Sequence, residues 1–291
     1  MDKRAELTEF LRSRRARLRP EDVGLPPFGG RRRVPGLRRE ELAQLAGVSV
    51  DYYVRLEQGR TRNVSEEVLD AVAGALRLTD DERAYLRNLA RPARTARRRP
   101  PARAERVRPS LRRLLEAAEG VPAYVVGRRC EVLAWNRMAC ALFTDFGALP
   151  PAERNWARLI FLNEEIQALF DDWTVKAKDT VAFLRLRAGE YPEDPELTAL
   201  VGELSVKSGH FRRWWADHNV KNKRSCRQVL HHPLVGRIEL DVEMLRVADE
   251  ADQMMAAYTA EPGSPSETAL RLLGSLSAPG GRVPDEVPQR D

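Results

Sequence analysis

Apolar side chains recur at helical spacing from the first residues of the chain. Leu7, Leu11 and Leu18 fall on one side of a segment over residues 5–18, with Phe10 beside them and Arg12, Arg14, Arg15 and Arg17 mostly elsewhere, so an amphipathic helix is expected. Residues 24–36, rich in Pro, Gly and Arg, break the pattern and read as a loop. Two short helical runs follow, residues 37–46 and 49–58, separated by Gly47 and Val48. Residues 65–76 then place Val68, Leu69, Val72 and Leu76 inward. Thr79-Asp80-Asp81-Glu82 is a capping box that opens a helix carrying Tyr85, Leu86 and Leu89. Five helices and no strand are expected over residues 1–90.

The periodicity stops at residues 91–109, RPARTARRRPPARAERVRP, which hold eight Arg and four Pro. Proline density and like-charge repulsion keep such a segment extended, so it reads as a linker. Beyond it residues 111–119 look helical. Short apolar runs at 123–126 and 131–135 bracket Gly127-Arg128-Arg129-Cys130, the pattern of a β-hairpin. Helical segments dominate from 136 to about 218. Extended character returns at 226–231, 237–247 and 253–259, with a turn at 233–236. A hairpin, then helices, then three strands is an α+β arrangement with helices over one face of an antiparallel sheet. After residue 261 the chain is rich in Gly, Ser and Pro, except for a short helix near 270–276.

Composition narrows the picture. With 291 residues and 43% hydrophobic content the chain can build two cores and is not a disordered polymer. It has no run of about 18 uncharged apolar residues, and MDKRAELTEF lacks a basic head followed by an apolar stretch, so neither a membrane span nor a secretory signal is expected. Cys130, Cys140 and Cys226 are odd in number, far apart and free of CxxC pairing, which speaks against a disulfide framework or zinc knuckle and for the reducing cytoplasm. The net charge of +6 is uneven: residues 1–109 hold 26 Lys and Arg against 16 Asp and Glu, the remainder 23 against 27. The basic half is the candidate for a polyanion.

Residues 37–60, LRREELAQLAGVSVDYYVRLEQGR, carry the strongest chemical signal. Ala43 keeps the first helix thin where a second must cross it, and Gly47 supplies the left-handed backbone of a sharp turn. Val48 can pack as a staple before Ser49, the N-cap of the next helix. Leu42, Leu45, Tyr53 and Leu56 face inward, Gly59 stops the second helix, and Val50, Asp51, Tyr52 and Arg55 are left outward for a major groove. Arg55 can donate bidentately to guanine, and Asp51 can accept from a cytosine amino group. Arg31, Arg32, Arg33, Arg39, Arg60 and Arg62 would supply the salt-sensitive contacts to phosphate. A plain αα-hairpin with a solvated basic face is the blander reading.

On Leu42, Ala43, Gly47, Val48, Tyr53, Leu56, Glu57 and Gly59, residues 4–90 resemble the lambda-repressor-like, or XRE, helix-turn-helix domains. That resemblance implies base reading by Val50, Asp51 and Arg55, with Ser49 and Tyr52 at the margin, and phosphate contacts by Arg39, Arg60 and Arg62. A wider resemblance rests on GGRRRVPGLRREE, VSVDYYVRLEQGR, VLAWNRMACAL, WARLIFL, HHPLVGRIELDVEML and YTAEPGSPS. Together these look like the MmyB-like transcription regulators, which join an XRE-type domain to a PAS-like ligand-binding domain. The segment after Arg60 departs from the family, reading TRNVSEE where related chains carry a proline-containing stretch. The resemblance implies a multidomain chain: an all-α five-helix helix-turn-helix domain over 1–90, a linker over 91–109, an α+β PAS-like domain over 110–262 with a five-stranded antiparallel sheet, and a tail over 263–291. It further implies an apolar pocket for a fatty-acid-like or other small lipophilic effector.

The second domain is rich in aromatics, most of which any domain needs for its core. Trp135 and Asn136, where a hairpin strand meets the cap of the next helix, are the leading candidates for a ligand site, followed by Phe143, Phe161, Trp215 and Tyr258. No HExxH, GxSxG, Walker A or dinucleotide glycine motif occurs. His231 and His232, adjacent in an expected strand, point to opposite faces, and Cys140 sits among apolar neighbours as a buried thiol does. Neither an enzymatic activity nor a metal or cofactor is expected. The expected function is a cytoplasmic homodimer that reads double-stranded DNA and answers to a small effector. The competing class is a protein-interaction module, in which the helical domain binds another protein and the second domain only dimerises.

Overall fold

The computed structural model describes residues 3–25, 36–61, 64–90, 106–220, 226–248, 250 and 252–277. They fall into two compact units. Unit 1 draws on Met1–Arg99, Val181–Gly202 and Arg212–Asn222, and unit 2 on Pro100–Thr180, Glu203–Phe211 and Lys223–Asp291.

Unit 1 opens with five α-helices: α1 (Lys3–Arg17), α2 (Arg39–Leu45), α3 (Val50–Glu57), α4 (Glu66–Ala75) and α5 (Asp80–Ala90). Each of the last three starts at a side-chain cap. Ser49 accepts from the amide of Tyr52 at 3.1 Å, Ser65 from that of Val68 at 3.3 Å, and Thr79 exchanges hydrogen bonds with Glu82 in the expected capping box. The apolar positions read from the sequence meet in one core: Leu7, Phe10, Leu11, Leu42, Tyr53, Leu56, Leu69, Val72, Tyr85 and Leu86 are all buried. The sequence pattern carries no sign of the short 3-10 turn at Pro20–Val23, nor of two further members of this core, Leu186 and Val220.

The remaining elements are α6 (Pro109–Ala117), β1 (Ala123–Val126), β2 (Val132–Trp135), α7 (Arg137–Leu142), α8 (Trp156–Leu162), α9 (Glu164–Leu169), α10 (Trp173–Glu190), α11 (Pro195–Lys207), α12 (Gly209–Ala216), β3 (Cys226–His232), β4 (Gly236–Arg246), β5 (Met254–Thr259) and α13 (Pro265–Leu276). The five strands make one antiparallel sheet in the order β2-β1-β5-β4-β3, so the α+β expectation holds. Strand alternation decides which side chains meet. In β4, Ile238, Leu240 and Val242 are buried while Arg237, Glu239, Asp241 and Glu243 turn the other way. Under β1, Ala123 and Val125 pack on Leu111 and Leu115 of α6 together with Met255. Tyr124, one residue out of phase, points to the opposite face, where it lies beside Tyr258. Among the described residues no helix is long and apolar enough to cross a membrane.

Candidate DNA interface and ligand site

The turn between α2 and α3 is set by its backbone. Gly47 has φ +64°, its amide donates to the carbonyl of Gln44, and the amide of Val48 donates to that of Ala43, the two bonds of a Schellman ending. A Cβ on Gly47 would meet nothing within 4 Å, so the left-handed backbone, not lack of room, is what selects glycine there. Gly59 ends α3 the same way, with φ +64°, but a Cβ there would also lie 3.0 Å from Cβ of Arg4 in α1.

The structure leaves the expected reading residues of α3 outward. Val50 is 42% exposed. Asp51 and Arg55 lie one turn apart and pair at 3.0 Å with their side chains mostly in solvent, while Tyr52 is half-buried. Ser49 stands at the N-terminus of the same helix, its hydroxyl oxygen accepting from the Tyr52 amide, and Arg60 is exposed just past the end of α3. Arg31, Arg32, Arg33, Arg62 and most of the Arg/Pro linker lie outside the described residues.

Beneath this face sits a charge that the sequence did not single out for a role. Glu57 is 1% exposed at the end of α3, and its carboxylate accepts from Nε of Arg39 at 2.7 Å, Nε of Arg15 at 2.9 Å and the hydroxyl of Tyr53 at 2.9 Å. Burial alone would push its pKa up, but the hydrogen bonds from Arg15, Arg39 and Tyr53 outweigh it and hold the carboxyl below its ordinary value. Burial and the adjacent carboxylate raise the Tyr53 phenol, which stays a donor. The consequence for Arg39 is geometric. One side of its guanidinium is tied to a buried anion while the side chain as a whole is 47% exposed, so the remaining N–H groups are aimed rather than free to roam.

In unit 2 the candidate ligand residues separate. Phe143 and Tyr258 meet at 5.1 Å between ring centroids, and Tyr124, Phe146 and Trp156 join them in one aromatic core. Trp135 reaches this core through Phe146 at 5.6 Å, with the Arg154 guanidinium 5.5 Å from its own ring. The hydroxyls of Tyr124 and Tyr258 share a hydrogen bond of 3.0 Å, and burial pushes both phenols well up. The indole N–H of Trp156 is buried without a hydrogen-bond acceptor, and the ammonium of Lys176 lies 5.7 Å from that ring and 5.8 Å from Phe170. Asn136 caps α7, but its amide is fully engaged: Oδ1 accepts from Ala123 and Ala139, and Nδ2 donates to carbonyls of Leu115, Ala118 and Val121. Phe161 packs instead on Phe211 and Trp173, and Trp215 belongs to unit 1, where the Arg185 guanidinium lies 4.1 Å from its ring. Tyr124, Phe146, Trp156 and Lys176 are the groups at this aromatic core that the sequence did not single out as candidates. Strand parity could have found Tyr124, since it is the one large residue of β1 out of phase with Ala123 and Val125.

The remaining reactive groups are engaged. His231 pairs with Asp171 at 2.7 Å on the surface, and the buried His232 meets the Ala141 carbonyl at 3.0 Å, on the other face as strand alternation requires. Burial pushes the Cys140 thiol up to about 11, which suits an inert side chain. Among the described residues no group of three His, Cys, Asp or Glu side chains could hold a metal ion.

Comparison with known families adds two matches. Residues 107–273, more than half of the chain, match the model of the MmyB-like transcription regulator ligand binding domain. Residues 6–86 match that of a helix-turn-helix domain. Comparison with curated proteins gives no match.

Proposed function

The chain belongs to the MmyB-like transcription regulators, and we propose how its parts divide the work of a DNA-binding regulator with a ligand-binding domain. Helix α3 enters the major groove of double-stranded DNA. Arg55 and Asp51 read base edges with Val50, Ser49 and Tyr52 beside them, and Arg39 and Arg60, with Arg31, Arg32, Arg33 and Arg62, meet phosphate. The observation that carries this reading is the pairing of an exposed polar row on α3 with an Arg39 anchored from below by Glu57. An anchored guanidinium suits a contact that sets register, and an exposed Asp/Arg pair suits one that discriminates.

The test is a comparison of two substitutions on two DNAs. Arg55→Ala is expected to lose about 1 to 3 kcal/mol on the operator and little on random sequence, whereas Arg39→Ala weakens both and lowers the salt slope by about one. Equal losses on both DNAs for Arg55→Ala would remove it from base reading. Indifference to DNA at any salt would instead leave a protein partner for the helical unit standing.

The regulator acts as a homodimer in the cytoplasm, because a single recognition helix buries too little surface for tight specific binding. Footprints should show two half-sites about 34 to 36 Å apart or a multiple of that. The effector is a small lipophilic, fatty-acid-like molecule seated against Trp135, Phe143 and Tyr258 and the rings around them. Supporting this are the density of aromatic surface on one sheet face and a buried Trp156 N–H without an acceptor, which a ligand oxygen would satisfy. Native mass spectrometry of the purified protein reads the outcome directly: a bound lipid supports the assignment, and an unliganded mass after exposure to fatty acids rejects it.

A further inference from the structure

From Val181 to Gly189, α10 has nine consecutive buried residues and therefore no solvent face. Such a helix should be apolar all round. The segment reads VAFLRLRAG, and Arg185 in its middle is 1% exposed. Taking a guanidinium out of water costs several kcal/mol unless specific partners replace the water, so the partners say what the residue does. Nη1 of Arg185 donates to Oε2 of Glu6 at 2.6 Å and lies 2.9 Å from Nδ1 of His218, while Nη2 donates to the carbonyl of Trp215. Glu6, on α1, also accepts from the hydroxyl of Tyr85 on α5 at 3.2 Å. Arg14, two turns further along α1, donates to the carbonyl of His218 and pairs with Glu82 at 2.8 Å. Close packing completes the cluster, since a Cβ on Gly189 would overlap the Tyr85 ring.

All of these groups lie in unit 1, yet they come from both matched segments: Glu6, Arg14, Glu82 and Tyr85 from the helix-turn-helix match, Arg185, Gly189, Trp215 and His218 from the ligand-binding match. What they hold in common is α1. The residue after Arg14 is Arg15, which donates to Glu57 at 2.9 Å and to the Leu37 carbonyl at 2.6 Å, and Glu57 in turn fixes Arg39. We propose that Arg185 is a positioning residue for DNA recognition: within unit 1 it sets α1 through Glu6, and α1, through Arg15 and Glu57, sets Arg39. The proposal rests on the DNA-reading assignment above for its operator readout but not for its exchange readout.

The experiment is a double-mutant cycle in the full chain, with hydrogen exchange of the α1, α3 and α4 amides measured without DNA or effector. Arg185→Gln should speed exchange in α1 and α3 by about tenfold while α4 changes less, and Arg185→Lys, which keeps the charge, should recover part of the loss. Glu6→Gln should change α1 exchange by about threefold or more in the parent chain and change it much less in the Arg185→Gln background. If Arg185→Gln does not fold, Arg185→Lys serves as the second background, where the Glu6→Gln effect should shrink. Operator affinity should follow α1, falling about fivefold or more for Arg185→Gln. A uniform loosening of α1, α3 and α4, or a Glu6→Gln effect of the same size in both backgrounds, overturns the proposal. A parent chain that ignores operator DNA defeats the DNA-reading assignment instead, and the exchange cycle still decides the role of Arg185.

Discussion

On α3 the groups proposed to meet DNA are exposed and the groups that hold them are buried, whereas in unit 2 the polar groups of the proposed ligand site are themselves buried and held by one another. Asp51 and Arg55 stand in solvent over the sealed Glu57, Arg15 and Tyr53. Tyr124 and Tyr258 share one hydrogen bond inside a cluster of rings. The two arrangements differ in what failure costs. A buried ion pair that loses one partner leaves a charge stranded in a poor solvent, while a buried hydroxyl pair leaves only a neutral dipole unmet.

The largest expected effect follows from that difference. Glu57→Ala should destabilise unit 1 by about 3 to 5 kcal/mol, because Arg15 is left buried without its anion, and urea unfolding of the full chain followed by exchange in α1 and α3 measures it. Tyr258→Phe should cost unit 2 about 1 to 3 kcal/mol by orphaning the Tyr124 hydroxyl, and adding Tyr124→Phe should give part of that back. A Glu57→Ala loss no larger than that of Tyr258→Phe would break the comparison, and additive Tyr losses would remove the shared hydrogen bond from it.

Acid sharpens the same contrast. His218, buried beside Arg185 and Arg14 with Arg12 and Arg17 near and Glu6 at 3.7 Å, has its pKa pulled down to about 3, first by burial and then by those four cations. Below its ordinary value of 6.5 the unfolded chain takes up a proton that the folded unit refuses. Stability from this group is therefore full above about pH 6.5 and is lost as the pH falls toward 3. Glu57, with its pKa held below the ordinary value of 4.5, adds a loss of the same sign at the acid end of that window. Unit 1 should show this slope in unfolding followed from pH 7.5 to 4, and His218→Asn, which accepts the positive φ of that position, should flatten it between pH 6.5 and 5. A slope unchanged by His218→Asn would assign it to other groups.

How much of this was legible follows from sequence distance. The α2–α3 turn rests on Gly47, Val48 and Ser49, whose backbone demands are met within a few residues, and the helices α1 to α4 were found within a residue or two of their ends, whereas α13, expected near 270–276, begins at Pro265. The strand runs were equally local, since alternation and the turn before Gly236 lie in the residues themselves. Glu57 was visible only as a motif position, because nothing in its neighbours says that Arg15 and Arg39 will close over it. Trp215 and Phe161 show the opposite failure: an aromatic residue announces burial, but which core it enters depends on contacts far along the chain. Arg185 had one available signal, a helical stretch with no polar face to carry an arginine outward.

The smallest expected effect separates stability from recognition on α3. Asp51 and Arg55 form an exposed pair one turn apart, an interaction worth about 0.3 to 0.5 kcal/mol, and an acid in the first turn of a helix adds a comparable amount. Asp51→Ala should therefore change the stability of unit 1 by no more than about 1 kcal/mol. Base preference should respond differently, because in the proposed reading Asp51 both accepts from a base amino group and restrains Arg55, so its removal is expected to relax discrimination at one or two positions of a randomised operator library while affinity for random DNA rises slightly. Unaltered preference would leave Asp51 a surface partner of Arg55, and the reading surface of α3 would contract to Val50, Tyr52 and Arg55.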